Sequence, residues 1–213
     1  MDPGPFEAIG ADRDTRLEDA IKKTAPGTAL RHALDMIIAG HMGALICVGD
    51  TDNVLAAGDD GFKLDVSFTA NRLFELCKMD GAIVVDKDLT KILRANYHLN
   101  PNPSLPTSET GTRHRTAARM SLLTHATVIS VSERRAVVNV YVDGKGFELK
   151  PVSDIMASVN QIVVAMQNTR QQLDRSLLRL TSLELDNFVT LGDVTSILDL
   201  FEVLMTAGEE LND

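Results

Sequence analysis

The sequence is poor in several residue types whose absence limits what the protein can be. It has no tryptophan and two cysteines, Cys47 and Cys77, which both lie inside apolar segments. No disulfide framework is indicated, and we expect a reduced, cytoplasmic location. No apolar run approaches the ~20 residues that a membrane-spanning helix needs, and the first residues do not resemble a secretory signal. A disulfide-rich secreted scaffold and a membrane protein are therefore not expected.

Several common functional motifs are also missing. The sequence contains no Gly-x-x-x-x-Gly-Lys segment of the P-loop type, no Gly-x-Gly-x-x-Gly fingerprint and no cysteine and histidine spacing typical of zinc sites. The segment 40–43 (Gly-His-Met-Gly) and His125 have no neighbours that indicate a catalytic triad. Any catalytic site must therefore be built from other residues.

The net charge of −9 is unevenly distributed along the chain. Residues 151–213 hold ten acidic residues and three arginines, whereas the first 150 residues carry a net charge of only −2. Between residues 113 and 135 the sign reverses, because five arginines face a single glutamate there. A short basic patch in an acidic protein indicates a small anionic ligand, since a long nucleic acid needs a broader basic face.

The hydrophobic pattern predicts an α/β domain over residues 1–150. Short apolar runs alternate with segments of helical spacing, and residues 1–16, which are polar and contain proline and glycine, are expected to be poorly ordered or loosely packed. From the residues alone, the sheet could be parallel, antiparallel or mixed. Predicted strands lie at 44–48, 54–57, 82–85, 91–99, 128–131 and 137–142, predicted helices at 30–38, 68–77 and 112–124, and predicted loops or turns at 58–61, 100–110, 132–135 and 143–146.

After Pro151 the pattern changes to that of long helices. Apolar residues from Val152 to Leu183 recur at steps of three and four, which predicts one long helix that packs along another helix. A second helix is predicted to begin at an Asp193 cap and to end at Gly208. Residues 151–213 are therefore interpreted as a helical linker or oligomerisation segment. Because two helices make a poor bundle, we expect either that the segment is truncated or that its helices pack between subunits.

Asp80-Gly81-Ala82 is the first of two stretches that indicate chemistry. Asp80 follows a predicted helix and precedes a buried strand. The simplest interpretation of such a carboxylate is a turn or a cap. The functional alternative is a metal ligand that also promotes loss of a proton from an attacking hydroxyl, with Gly81 allowing a ligand to approach closely.

The second stretch, 111–115, reads Gly-Thr-Arg-His-Arg at a predicted helix start. Free amides and the helix dipole at such a position favour anions, and Arg113 and Arg115 add side-chain charge. His114 lies between two cations, so it should be biased toward its neutral form. Thr112 is either an N-cap or a ligand contact, and the arginines could instead be solvated surface residues. Carboxylate for metal and cations for phosphate together suggest nucleotidyl transfer.

This pair of motifs, some thirty residues apart, resembles that of the diadenylate cyclase family. The resemblance covers about residues 15–150 and continues into the helical segment, where residues 186–191 are similar to a linker found in part of the family. It implies an α/β fold with a mixed sheet flanked by helices, followed by an α-helical linker. It also implies a homo-oligomer, expected to be an octamer.

The reaction that the resemblance implies is condensation of two ATP molecules to cyclic di-AMP and two pyrophosphates, with Mg²⁺ or Mn²⁺. Two sites face each other in a head-to-head dimer, so that each 3′-hydroxyl meets the α-phosphate of the other ATP. Asp80 would serve as metal ligand and contact the 3′-hydroxyl. The remaining implied nucleotide contacts are Gly81 and Ala82, then Thr112, Arg113, His114 and Arg115 on the phosphates, with Thr116, Ser132 and Glu133 nearby.

Three further expectations follow. Relatives with a DNA-binding function carry a helix-hairpin-helix domain that lies beyond this segment, so DNA binding is not expected of these residues. A binding module that holds ATP or cyclic di-AMP without turnover is the main alternative to an enzyme. A structural subunit whose helical tail is the functional part is the second alternative.

Overall fold

The computed structural model describes residues 5–211, with side chains described from residue 15 onward. The chain divides into two compact units, Met1–Leu149 and Lys150–Asp213. The first unit contains α1 (Pro5–Thr24), α2 (Ala29–Ala39), β1 (Ala44–Val48), α3 (Thr51–Ala56), β2 (Gly58–Asp59), β3 (Phe62–Ser67), α4 (Ala70–Leu76), β4 (Ala82–Val85), β5 (Lys91–Leu99), α5 (Thr112–Leu123), β6 (Thr127–Ser132), β7 (Val137–Val142) and β8 (Lys145–Leu149). The second contains α6 (Val152–Leu185) and α7 (Leu191–Glu210).

The described strands form one eight-stranded mixed sheet in the order β2-β5-β4-β1-β6-β7-β8, with β3 also paired to β5. Among these strands only β1 and β4 run parallel, with Ile46 opposite Ile83 and Val48 opposite Val85. The other pairs are antiparallel. The α/β class and the mixed sheet expected from the resemblance are confirmed.

The two central strands are buried at every position, because helices cover both faces of the sheet. On one face, Ile46 of β1 packs in a core with Leu34 of α2 and Leu73 of α4. On the other face, Cys47 packs with Ala117 of α5. Side chains alternate across a strand, so successive residues of β1 supply both cores.

The structure corrects the predicted strand at 54–57. Residues 54–56 belong to α3, in which Val54 is the buried residue, and Ala57 is the C-cap of that helix. Asp50, in a left-handed conformation, precedes the helix and accepts hydrogen bonds from the Asn53 side-chain amide at 2.8 Å and from the His125 backbone N–H at 2.7 Å. These contacts fix the turn at Asp50 that precedes α3. The apolar segment that follows the turn is too short for its hydrophobic pattern to distinguish a helix from a strand.

Three other local predictions were incomplete. The predicted loop at 58–61 contains β2 and leads into β3, and the predicted turn at 143–146 runs into β8. The helix predicted to open at Leu17 begins already at Pro5, as the first residue of α1. The strands β3 and β8 are largely exposed at the edges of the sheet, so they lack the apolar pattern that reveals a buried strand.

The second unit consists of two helices that pack on each other, with Leu173 of α6 and Ile197 of α7 buried. The long helix is confirmed. The cap of α7 is Thr190 rather than Asp193: the Thr190 hydroxyl accepts from the Asp193 backbone N–H, and the Asp193 carboxylate accepts from the Thr190 backbone N–H. The helix also continues through Gly208. None of the helices within residues 5–211 has the length and apolar character that crossing a bilayer requires.

Replacing Thr190 with alanine should destabilise α7, because the Asp193 backbone N–H loses its acceptor, the Thr190 hydroxyl. We expect the free energy of unfolding of the helical unit to fall by about 1 kcal/mol. Denaturant titration followed by circular dichroism measures it. Thr181→Ala, an exposed position near the C-terminal end of α6, is the matched control and should cause no such loss; equal effects of the two substitutions would contradict the capping role.

Candidate functional site

The two stretches singled out in the sequence meet at one end of the sheet. Asp80-Gly81 precedes β4, and α5 begins immediately after Gly111. Both border a cavity of about 200 Å³. The cavity is lined by Leu45, Asp80, Gly81, Ala82, Tyr97, His98, Leu99, Thr112, Arg113 and Thr116.

Asp80 presents its carboxylate to solvent. The side chain is 98% exposed, and its Oδ1 lies 3.8 Å from the Nη2 atom of Arg113. Among the described residues it accepts no hydrogen bond, so a capping role does not account for it. The backbone is held instead, because the Asn96 side-chain amide donates to the Asp80 carbonyl oxygen at 3.0 Å. A fixed backbone with a free carboxylate suits a group that meets a ligand.

Gly81 is required by the backbone of the protein itself. Its φ is +86°, and an added β-carbon would lie 2.8 Å from the backbone carbonyl carbon of Asn96. Any other residue would be strained at this φ and would collide with β5. The sequence suggested that this glycine admits a ligand, whereas the structure gives it a role in the β4–β5 packing that fixes Asp80.

A second cavity, of about 730 Å³, adjoins the first at the start of α5. Thr112 and Arg113 line both cavities, so the guanidinium of Arg113 lies at their border. Gly111 is the N-cap of α5 and offers no side-chain hydrogen bond, which leaves the first amides of the helix available to a ligand. The second cavity is lined by Thr110, Gly111, Thr112, Arg113, His114, Val131, Ser132, Glu133, Arg134 and Arg135.

The charge of the second cavity suits an anion. Arg113, Arg134 and Arg135 outnumber the single carboxylate of Glu133, and the free amides of the helix start add to them. Ser132 and Glu133 lie in this cavity, so the structure brings them beside the α5 motif. Arg115 is exposed and lines neither cavity. It therefore stands apart from the other residues of the motif.

His114 is buried beneath the start of α5, with 7% of its surface exposed. Burial lowers its pKa, and the charges of Arg135 and Arg113 lower it further, while the Glu109 carboxylate opposes them. The sequence attributed neutrality to the two flanking arginines, but burial is the larger cause. The Nε2 atom is buried without a hydrogen-bond partner among the described residues, and the ring meets Tyr141 edge-on at 6.5 Å.

The apolar wall of the smaller cavity was missed by sequence reasoning. Leu45, Tyr97 and Leu99 line it beside Asp80, and Tyr97 is fixed by a 2.7 Å hydrogen bond from its hydroxyl to the Leu55 carbonyl oxygen. Leu45 belongs to β1, and Tyr97 and Leu99 belong to β5; the sequence marked these segments only as strands. An apolar wall next to cations and a carboxylate suits a ligand that has both an apolar part and an anionic part.

These features define the class of the protein as an α/β protein with a mixed sheet and a candidate site for an anionic ligand at the start of α5. Comparison with protein families identifies it further. Residues 31–146 match the model of the DAC family, described as DisA bacterial checkpoint controller nucleotide-binding, and residues 149–213 match the model of the DisA linker region. The chain belongs to the DAC family, which confirms the resemblance drawn from the two motifs.

Curated relatives agree with this assignment. The DNA integrity scanning protein DisA of Corynebacterium efficiens is 45% identical over 196 residues, 92% of this chain and 55% of the relative. The protein of the same name from Carboxydothermus hydrogenoformans is 41% identical over 199 residues, 93% of this chain and 56% of the relative. The chain thus spans about half the length of the curated relatives that it matches.

One solved structure supports the fold. It is the crystal structure of a hypothetical membrane spanning protein from Bacillus cereus, at 26% identity and a TM-score of 0.52. The match covers 58% of this chain and 62% of the other. It supports the fold over the matched part of the chain.

The buried, neutral His114 predicts a pH dependence of stability. Its pKa is lowered in the folded protein from the ordinary value of 6.5. As the pH falls below 6.5, the unfolded chain takes up a proton that the folded chain excludes, so stability falls until the lowered pKa is reached. His114→Gln should flatten this part of the profile in denaturant titrations from pH 7.5 to 5. An identical profile in the variant would contradict the assignment.

Proposed function

We propose that this chain is a diadenylate cyclase that condenses two ATP molecules into cyclic di-AMP and releases two pyrophosphates across a head-to-head pair of sites. The observation that carries the proposal is the approach of Asp80 to Arg113 at 3.8 Å on a shared cavity. It places a solvent-facing carboxylate beside the cationic start of a helix. Membership of the DAC family supports the same activity.

Each half of a bound ATP has a matching surface. The wall of Leu45, Tyr97 and Leu99 suits the adenine base. The amides at the start of α5, with Thr112 and Arg113, suit the phosphates. The larger cavity adds Ser132, Glu133, Arg134 and Arg135. Arg115 is exposed and lines neither cavity, so it would contact the phosphates only if ligand binding or a second chain brought the two together. Gly81, Ala82 and Thr116 also line the smaller cavity.

The donor groups fit Mg²⁺ or Mn²⁺ held jointly with a nucleotide. No cluster of three or more histidine, cysteine, aspartate or glutamate residues occurs among the described residues, so these do not form an all-protein metal cage. Mg²⁺ is usually held by one or two carboxylates together with substrate phosphates, and Asp80 offers such a carboxylate. When bound, the ion neutralises phosphate charge and lowers the pKa of a coordinated hydroxyl.

The residues of this chain act mainly by positioning and by charge. Asp80 accepts a hydrogen bond from the 3′-hydroxyl of ATP and favours loss of its proton. The 3′-oxygen then bonds to the α-phosphorus of the facing ATP, the bond from that phosphorus to the bridging oxygen of pyrophosphate breaks, and the proton passes by way of the exposed Asp80 carboxylate to solvent. The same exchange at the facing site forms the second bond, closes the ring and releases the second pyrophosphate. Arg113 stabilises the charge that develops on the phosphates. The neutral His114 supports the helix start without adding charge.

The exposure of Asp80 supports a paired arrangement. A single chain offers one such site among its described residues, whereas the reaction needs two ATP molecules opposite each other. A two-fold dimer presents the same surface twice and so supplies the second site. A homo-oligomer, a cytoplasmic location and the absence of DNA binding by these residues belong to the same proposal.

Incubation with ATP and Mn²⁺, followed by chromatography of the nucleotides, tests the proposed function. We expect cyclic di-AMP and pyrophosphate in a ratio of one to two. ATP binding without product would favour the alternative function, a binding module that holds the nucleotide without turnover. Such a module does not need the Asp80 carboxylate to promote a reaction. A chain without residues 151–213 that retains full activity would show that the helical unit is not required for catalysis.

Replacing Asp80 with asparagine should abolish synthesis and leave ATP binding intact. The amide keeps the shape of the side chain but loses the charge that favours proton loss from the hydroxyl. We expect turnover to fall at least about 100-fold, the lower end of general-base contributions. Product assays and calorimetry measure the two effects. Asp88→Asn, an exposed aspartate after β4, is the control and should act as wild type; unchanged turnover in Asp80→Asn removes this residue from the mechanism.

A further inference from the structure

We infer that Gly43 is a positioning residue for Arg113, because the missing side chain at position 43 leaves the space that the guanidinium occupies. The inference rests on the proposed function, in which Arg113 holds phosphates. It assigns a role to a residue outside both motifs, at a point of the chain where the sequence indicated no function.

The space above Gly43 is filled by the arginine side chain. A β-carbon added at Gly43 would lie 1.9 Å from the Nη1 atom and 2.9 Å from the Cζ atom of Arg113. Favourable contacts between such atoms occur at about 3.5–4.0 Å, so both groups cannot occupy these positions. The third neighbour, the Val131 carbonyl oxygen, lies 3.4 Å away, which is an ordinary contact. Only the guanidinium stands in the way of a side chain.

The backbone does not require glycine at this position. Gly81 has a positive φ, as do four other described glycines, but Gly43 is not among them. An alanine can therefore adopt the backbone conformation of residue 43 without the strain of a left-handed residue. The close approach to Arg113 is thus the reason that the structure offers for a glycine here.

The position of Gly43 in the fold makes this approach relevant to the site. Gly43 immediately precedes β1, whose first residue, Ala44, pairs with Val131 of β6. Leu45 lines the smaller cavity and Val131 the larger one, so Gly43 lies close to the border between them. Arg113 crosses this border with its Nη2 atom 3.8 Å from Asp80. A side chain at position 43 would push the guanidinium away from Asp80, from the larger cavity or from both.

Gly43→Ala tests the inference through nucleotide binding. The ligand is 3′-deoxy-ATP with Mg²⁺, which lacks the attacking hydroxyl and so reports binding without turnover. Loss of a charged hydrogen bond corresponds to about a tenfold or greater loss of affinity, and we expect both Arg113→Ala and Gly43→Ala to show it by calorimetry. The melting temperature of Gly43→Ala should stay near that of wild type, because the displaced group is the end of a flexible side chain.

The double variant distinguishes positioning from a general disturbance. In an Arg113→Ala background there is no guanidinium to displace, so adding Gly43→Ala should cause no further loss of affinity. A similar loss in both backgrounds would overturn the inference, as would unchanged affinity in the single variant. Gly208→Ala is the control, because a β-carbon there meets nothing within 4 Å, and its affinity should equal that of wild type.

A crystal structure of the Gly43→Ala variant keeps this inference separable from the proposed function. If wild type binds no nucleotide, the proposed function fails, and the position of the guanidinium then decides the inference. A displaced Arg113 would support the positioning role of Gly43. A guanidinium in its present place, with the backbone of residue 43 shifted instead, would overturn it.

Discussion

The parallel pairing of β1 with β4 is the constraint on which the candidate site depends. It aligns the beginnings of the two strands, so that Gly43 and Asp80 come to the same end of the sheet although they are far apart in sequence. The antiparallel β6 ends at that same end, because Ala44 pairs with Val131. Helix α5 packs against these strands through Ala117 and Ala118, which places its first turn beside the strand ends that carry Gly43 and Asp80. The burial of the central strands thus fixes the geometry of the exposed groups.

The elements with strong local signals were predictable from the sequence, and those defined by distant contacts were not. The fully apolar β1 and β4, the helix start at Gly111 and the long α6 all have a clear pattern. The segment 54–57 was misread because four residues fit either period, and the bond from His125 to Asp50 that fixes the preceding turn spans 75 residues. The exposed β3 and β8 gain their strand form from pairing at the edges of the sheet.

The same division applies to the site. Asp80 and Arg113 were predictable because the residue type alone indicates that a carboxylate can bind a metal ion and a guanidinium can bind phosphate. The structure places both on one cavity. Tyr97 was missed because a buried strand residue looks the same whether it faces a core or a cavity. Gly43 was missed because the role of an absent side chain is visible only when the group filling its space is known. The neutrality of His114 was expected, but its main cause, burial, required the fold.

The central claim is that one ATP binds each chain between Asp80 and the start of α5. A crystal structure with 3′-deoxy-ATP and Mn²⁺ tests it most directly. The account predicts one nucleotide per chain, with its phosphates against Arg113 and the first backbone amides of α5 and with its ribose beside Asp80. It also predicts that this site faces the same site of a second copy of the chain. A nucleotide found instead in the 540 Å³ cavity at the opposite end of β1, lined by Val48, Lys87 and His125 among others, would contradict it.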